Sequence, residues 1–418
     1  MAKSHQGRSN RRQRRSLREA ATEVVRLLVE AGHIAYFAGG CVRDRLMGNE
    51  PTDYDVATSA RPEEVRVVFP GAQSVGEAFG VMLVRRNGHM MEVATFRTDG
   101  DYADSRHPEH VTFSDARHDA ARRDFTINGL FEDPLRGEII DYVGGQADLE
   151  AKVIRAIGDA ASRLREDHLR MLRAVRFAAR FRFTLEEATA DAIRAGAAEL
   201  KGISRERIGQ EVKRMLSDPH RTAAASQIQQ LGLDGPLLLE EASEGPLRRL
   251  RRLPEQVRYP LALAAWLLDR HEGPWERGES LHPIVSRWGE ALILSNDERA
   301  GVQRCLEVHQ ILSGPWQGLG IAEQKRLAAG PWFEEGLLLL KTSDEEGFAA
   351  VNRRVGELEE TSLAPPPLID GRDLIGMGLT PGPIFRRVLD AVYDAQLEGT
   401  VANRRSALEL AALLAAGG

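Results

Sequence analysis

The hydrophobic positions divide the chain near residue 155: before it, apolar residues switch between helical and strand spacing, and after it they keep the helical period. Ser16 and Glu19 form a capping-box pattern. Leu17, Ala21, Val24 and Leu28 hold helical spacing up to Gly32, which can end the helix in the left-handed conformation. HIAYFAGG predicts a short strand running into a glycine turn, CVRDRLMG a short helix closed by Gly48, and TDYDVAT a second strand. ARPEEVRVVFPG predicts another short helix, with Pro62 in its first turn. VMLVRR and HMMEVATFR predict a hairpin, because Asn87-Gly88 between them accepts positive φ at both positions. A polar loop, DGDYADSRHPEHV, precedes RRDFTINGLFEDP and a closing strand and turn, EIIDYVGG.

The remainder reads as helices, with breaks at Gly232–Pro236, Gly245-Pro246 and Pro365-Pro366-Pro367. A helix over Pro383–Glu398 has proline in its first turn, Gly399 past its end, and an apolar stripe of Ile384, Val388, Leu389 and Val392. The predicted class is α+β: a mixed head at 16–155 carried on a helical neck (156–230), body (231–364) and tail (365–418). Residues 1–15 read as a disordered basic tail.

A length of 418 residues calls for two to four domains. Hydrophobic content of 42% and charged content of 28% are those of a soluble globular protein. No apolar run approaches the ~20 residues that span a bilayer, and the N-terminus lacks the apolar stretch of a signal peptide. Two cysteines, Cys41 and Cys305, argue against a disulfide scaffold or a zinc cluster and fit a reducing cytoplasm. The net charge is −6, yet arginines crowd the first twenty residues and the stretch from Arg163 to Arg214. Screening confines each charge to about 10 Å, so such local stripes can still meet phosphate.

Candidate chemistry begins at Asp53 and Asp55. Two apart on a strand, they share a face while Tyr54 points to the other. Like charges that close repel unless neutralised, and magnesium prefers carboxylate and phosphate oxygens. Asp-x-Asp alone more often marks a turn or a solvated strand end. The context strengthens it: the Gly39-Gly40 turn between strand and helix offers backbone N–H groups to a phosphate. Arg43 has two readings, a triphosphate contact or a salt bridge to Asp44. Glu92, between Met91 and Val93 on an apolar strand, is either a third metal ligand or an exposed strand position. Three such acids suggest two-metal nucleotidyl transfer.

GGCVRD, TDYDVAT, MEVATFR, RRDFTIN and REDHLRMLRAVRF, in this order over roughly residues 35–215, together resemble the class II CCA-adding enzyme and bacterial poly(A) polymerase family. DGRDLIGMGLTPGPIFRRVL with NRRSALEL resembles the C-terminal part of its bacterial members. The resemblance implies a polymerase beta-like nucleotidyltransferase head, a neck that recognises the nucleotide base, and a tail that binds RNA. It implies that Gly39, Gly40, Arg43 and Asp44 hold the triphosphate and the local turn. Asp53, Asp55 and Glu92 would bind two Mg2+ ions. Arg123, Asp124 and Asn128 would shape the ribose pocket. Arg122-Arg123-Asp124 has a plainer reading as an exposed loop with a capping Asp.

The family's base template falls on Glu166, Asp167 and Arg170. Three apart on a helix, Asp167 and Arg170 would share a face. The carboxylate would accept from the amino group of C or A while the guanidinium donates to the adjacent ring acceptor, with Glu166 orienting Arg170. U and G would leave buried polar groups unpaired, at roughly 1–3 kcal/mol each. An E-D-x-x-R string on its own is an ordinary helix ion pair. Arg173 and Arg176 are expected at the nucleotide, and Arg180, Arg205, Arg207 and Lys213 at the RNA backbone.

Members of the family add CCA, CC, A or poly(A). The chain lacks the basic G-R-R-F-R pattern of the poly(A) polymerases and keeps the polar loop with Asp99, Asp101, Asp104 and Arg106 that CC-only enzymes shorten. The expectation is therefore CCA addition to tRNA from CTP and ATP, then A-only addition, ahead of CC-only and poly(A) activity. His118-Asp119 lacks the companion histidines of a fused HD-type phosphohydrolase. A non-catalytic RNA-binding protein would be expected to have lost the metal acids. A small-molecule nucleotidyltransferase would not need the long helical body.

Overall fold

In the computed structural model, which describes residues 16–76, 80–99, 111–276 and 279–416, the chain forms two compact units. One comprises residues up to 215 together with 227–242, and the other 216–226 with 243 onward.

The first unit is built on a seven-stranded mixed sheet. Its strands are β1 (Ala35–Ala38), β2 (Asp55–Thr58), β3 (Gln73–Gly76), β4 (Val81–Arg86), β5 (His89–Thr95), β8 (Leu130–Asp133) and β9 (Glu138–Asp141). The order is β3-β4-β5-β2-β1-β8-β9. Outside it, β6 (Arg97–Asp99) and β7 (Val111–Phe113) pair with each other. Helix α1 (Leu17–Glu30) begins in the expected capping box at Ser16 and Glu19, with Gly32 at φ 91° just past its end. Its buried stripe, Ala20, Ala21, Val24, Val25 and Leu28, joins Phe37, Tyr54, Val56, Met82, Met91 and Val93 in the main core on one face of the sheet. The β4–β5 hairpin turns on Asn87 (φ 52°) and Gly88 (φ 88°), as the sequence required.

The sheet is completed by short helices: α2 (Gly40–Leu46), α3 (Pro62–Val68), α4 (Ala116–Ala121) and α5 (Gly145–Ala151). The neck follows as α6 (Ala160–Glu166), α7 (Leu169–Phe181), α8 (Glu187–Gly196) and α9 (Arg205–Leu216). It is not purely helical. Arg182, at φ 56°, ends α7 in the left-handed conformation. The chain then lays Thr184–Leu185 in parallel against Val153–Ile154. Two residues are too short to show alternation in sequence.

In the second unit the described residues form helices and connections only. Leu337, Leu340, Val308 and Trp316 anchor one apolar cluster, and Val388, Val392, Leu374 and Ala407 another. The expected stripe of the Pro383–Leu397 helix, including Ile384 and Leu389, packs into the latter. The basic tail at 1–15 and the polar loop, with Asp101, Asp104 and Arg106, lie outside the described residues.

Candidate active site

The site grows from the end of β1. Gly39 takes φ 71°, where an L side chain is strained, and a Cβ there would come within 2.8 Å of the Arg123 guanidinium. Its N–H donates to Leu130 O of β8, and its carbonyl accepts from the Arg43 N–H of α2. The turn therefore aims α2 across the sheet's end. Both readings of Arg43 meet here. The side chain lines the cleft, yet it donates to Asp44 Oδ1 (2.8 and 2.7 Å) and to Asn128 Oδ1 (2.5 Å). Its guanidinium lies over Phe181 at 4.7 Å and Phe177 at 5.2 Å.

This cleft, of about 550 Å³, also takes in Asp53 and Asp55. The strand starts only at Asp55, so Asp53 stands on the extended segment leading into it. Val56 and Val93 are register partners on parallel strands and face the core. Asp55 and Glu92 each precede them and so share the opposite face. Asp55 keeps solvent access but is ringed by protein. Burial, then the charges of Glu92 and Asp53, push its pKa up to about 6 against a weaker pull from Arg123. Glu92 stands beside Asp55 but is not part of the cleft wall.

Opposite the acids is a network centred on two buried aspartates. Asp119 accepts from Arg122 (2.9 and 2.7 Å) on one oxygen and from Arg123 (3.2 and 2.9 Å) on the other. Asp124 accepts from Arg173 (2.8 and 2.6 Å), from the Asn128 amide (2.9 Å) and from the Phe125 N–H (2.8 Å). Burial would raise Asp124, but the Arg173 charge and these hydrogen bonds outweigh it and hold the carboxyl at about 2. RRDFTIN is thus no exposed loop: Phe125 and Ile127 are fully buried and Asp124 nearly so.

The third wall is the neck. The expected single helix through Glu166 and Arg170 is broken. Asp167 is extended (φ −151°, ψ 102°) between α6 and α7, and its Oδ1 accepts the Leu169 N–H at 3.0 Å. Aspartate competes with the helix for such local donors, which is why the chain breaks there. Asp167 and Arg170 nonetheless line the same cleft as Asp53 and Asp55. Arg170 donates to Glu166 at 2.5 Å and to Arg163 O at 2.8 Å. Arg176 pairs with the buried Glu211 of α9 at 2.5 Å. Arg207, expected on RNA, lies in the cleft and donates to Asp167 Oδ2 at 2.6 Å. Arg180 lines the cleft as well. Arg205 instead donates to the carbonyls of Pro236 and Leu237, and Lys213 lies exposed on α9.

Residues 35–155 match the family model described as the poly A polymerase head domain, and 182–243 one described as the probable RNA and SrmB-binding site of polymerase A. A CCA-adding enzyme of Geobacillus kaustophilus is 45% identical over 405 residues, covering 93% of this chain and 94% of its own. One from Lactobacillus helveticus is 41% identical over 404 residues, covering 93% and 95%. The chain belongs to the CCA-adding enzyme family. The crystal structure of the Bacillus stearothermophilus CCA-adding enzyme in complex with CTP matches at TM-score 0.72 and 29% identity, over 95% of this chain and 97% of that one.

CCA-adding enzymes are generally metal-dependent nucleotidyltransferases, which calls for oxygen ligands in the cleft. Among the described residues no three His, Cys, Asp or Glu side chains converge into a ready-made cage. Asp53 and Asp55 still suit a hard cation. They are oxygen donors on the cleft wall, and a dication would offset both the burial and the neighbouring charges of Glu92 and Asp53 that raise the pKa of Asp55. Magnesium commonly completes its shell with water and phosphate oxygens, so two wall carboxylates are a fitting protein share.

Two supporting residues, Asp119 and Glu211, and the pairing of Arg207 with Asp167 lie outside the sequence motifs. Asp119 stands in sequence as half of a His-Asp pair, and its spacing of three and four to Arg122 and Arg123 is the helical ion-pair signal that points to its place here. Glu211 and the Arg207 pairing carried no local signal, because their partners are thirty-five and forty residues away.

Proposed function

We propose that this chain builds the 3′ C-C-A end of tRNA without a nucleic-acid template, using CTP and ATP and releasing pyrophosphate. The observation that carries the proposal is that Asp167 and Arg170 share one cleft with Asp53 and Asp55. The Asp167 carboxylate, aimed by the Arg207 guanidinium and the Leu169 N–H, accepts from the amino group of cytosine or adenine. Arg170, steered by Glu166, donates to the neighbouring ring acceptor. One pair of readers serves both bases, which favours complete CCA over A-only addition and disfavours poly(A) synthesis.

Asp53 and Asp55 would hold Mg2+, two ions in the expected scheme, with Glu92 supporting the pair from the adjacent strand. Bound there, the ions supply the charge that eases ionisation of the RNA 3′-hydroxyl and steadies the leaving pyrophosphate. The hydroxyl oxygen forms the new bond to the α-phosphorus as the bridging bond to pyrophosphate breaks. Arg123 and Asn128 face the ribose, and Asp124 keeps Asn128 and Arg173 in place from beneath. The acceptor arm would lie along the helical segments, read by shape and phosphate contact, with Lys213 contributing. Two buried free thiols, Cys41 and Cys305, support a cytoplasmic setting.

Purified protein with Mg2+ should incorporate labelled CTP and ATP into tRNA lacking all three nucleotides, and ATP alone into tRNA ending in C-C. Asp53→Ala should abolish both. Equal labelling of an unrelated RNA, or full activity in Asp53→Ala, would sink the proposal.

A further inference from the structure

Eight arginines line the cleft, and seven are matched to a carboxylate: Arg43 to Asp44, Arg122 and Arg123 to Asp119, Arg170 to Glu166, Arg173 to Asp124, Arg176 to Glu211 and Arg207 to Asp167. Among the described residues Arg180 alone of the eight has no carboxylate partner. It is exposed, and its guanidinium lies 5.5 Å from the Phe181 ring centre. An aromatic face attracts a cation without cancelling its charge. The seven matched arginines share six carboxylates, Arg122 and Arg123 dividing Asp119, so they are directed donors whose charge is largely offset. A polyanion entering the cleft therefore meets at Arg180 the one lining guanidinium, among the described residues, that no carboxylate holds.

The position along α7 indicates which part of a nucleotide arrives there. Asp167 and Arg170 stand at the start of the helix and Arg180 near its end, and ten residues of helix separate Arg170 from Arg180 by about 15 Å. A nucleotide read at its base by the first pair and held at its phosphates by Arg43 would extend toward the other end, where Arg43 lies. Phe177 and Phe181 stack there with ring centres 5.7 Å apart and planes within 7°. Arg43, from the turn after β1, lies over the same two rings. We infer that Arg180 binds the terminal phosphates of the incoming nucleoside triphosphate, in place of the RNA-backbone contact expected from its position in the basic stripe.

This inference rests on the triphosphate reading above, and its test separates the two. Binding of CTP and CMP, each with Mg2+, is measured for the parent, Arg180→Ala and Arg180→Lys. Steady-state KM values for CTP, ATP and tRNA are measured alongside. Arg180→Ala should weaken CTP and raise both nucleotide KM values about ten- to hundredfold. CMP binding, the preference for CTP over UTP and the KM for tRNA should stay as in the parent, and Arg180→Lys should recover part of the loss. Equal losses for CTP and CMP, unchanged CTP binding, or a rise confined to the tRNA KM would overturn the inference while leaving the proposed activity intact. A parent protein that binds no CTP would defeat both.

Discussion

Replacing Asp124 with asparagine should unfasten the floor of the cleft. The side chain keeps its shape, but one carboxylate oxygen becomes an NH2 group facing Arg173 or the Phe125 N–H, where only an acceptor fits. The gap between the ordinary carboxyl value of 3.8 and the native value of about 2 corresponds to roughly 2.5 kcal/mol of preference for the charged form. Stranding the part-buried Arg173 adds to it, so the loss should be about 2–4 kcal/mol. Calorimetry of the full chain should show the transition of the first unit falling by roughly 5–10 °C. The sign of the pH effect follows. The carboxyl is depressed in the folded state, so its contribution is complete above about pH 4 and is lost as pH falls toward 2. Asp124→Asn should lack that acid-linked loss. A double-mutant cycle with Arg173→Met should return a coupling of roughly 2 kcal/mol. Stability within about 0.5 kcal/mol of the parent, or no coupling, would refute the reasoning.

Asp55 is shifted the other way. Its folded pKa lies near 6, so between about pH 4 and 6 the metal-free folded state holds more protons than the unfolded one and stability falls as pH rises. Thermal melts should show that fall, Mg2+ should cancel it, and Mg2+ affinity should climb over the same window. A rise in metal-free stability there would contradict the assignment. Arg207→Gln should leave Asp167 loosely aimed, lowering the kcat/KM preference for CTP over UTP about tenfold or more, and an unchanged preference would count against a steering role. Gly39→Ala places a methyl near Arg123 at a positive φ, so it should cost about 1–2 kcal/mol in denaturant titrations and raise the KM for both nucleotides. A neutral outcome would show that the turn relaxes freely.

What sequence made legible was local. The α1 capping box, the Asn87-Gly88 hairpin and the glycine turn after β1 each depend on neighbours a few residues apart, and each formed as expected. The acids and the template pair were visible because short motifs carry them. Their surroundings were not. Arg207 finds Asp167 and Arg176 finds Glu211 only once the neck helices pack together, and Arg173 finds Asp124 only once the neck folds against the head. The break at Asp167 was missed because helical spacing from Glu166 to Arg170 looks continuous until the Leu169 N–H claims the carboxylate. The strand at Thr184–Leu185 exists only through its pairing with Val153–Ile154.

The central claim is that protein side chains, rather than a nucleic-acid template, choose cytosine and adenine over uracil and guanine. The most direct measurement is the sequence added to tRNA lacking its last three nucleotides when all four triphosphates are supplied together at equal concentration with Mg2+. The account predicts C-C-A followed by arrest. Uridine or guanosine in the added ends, or an open-ended adenosine run, would contradict it.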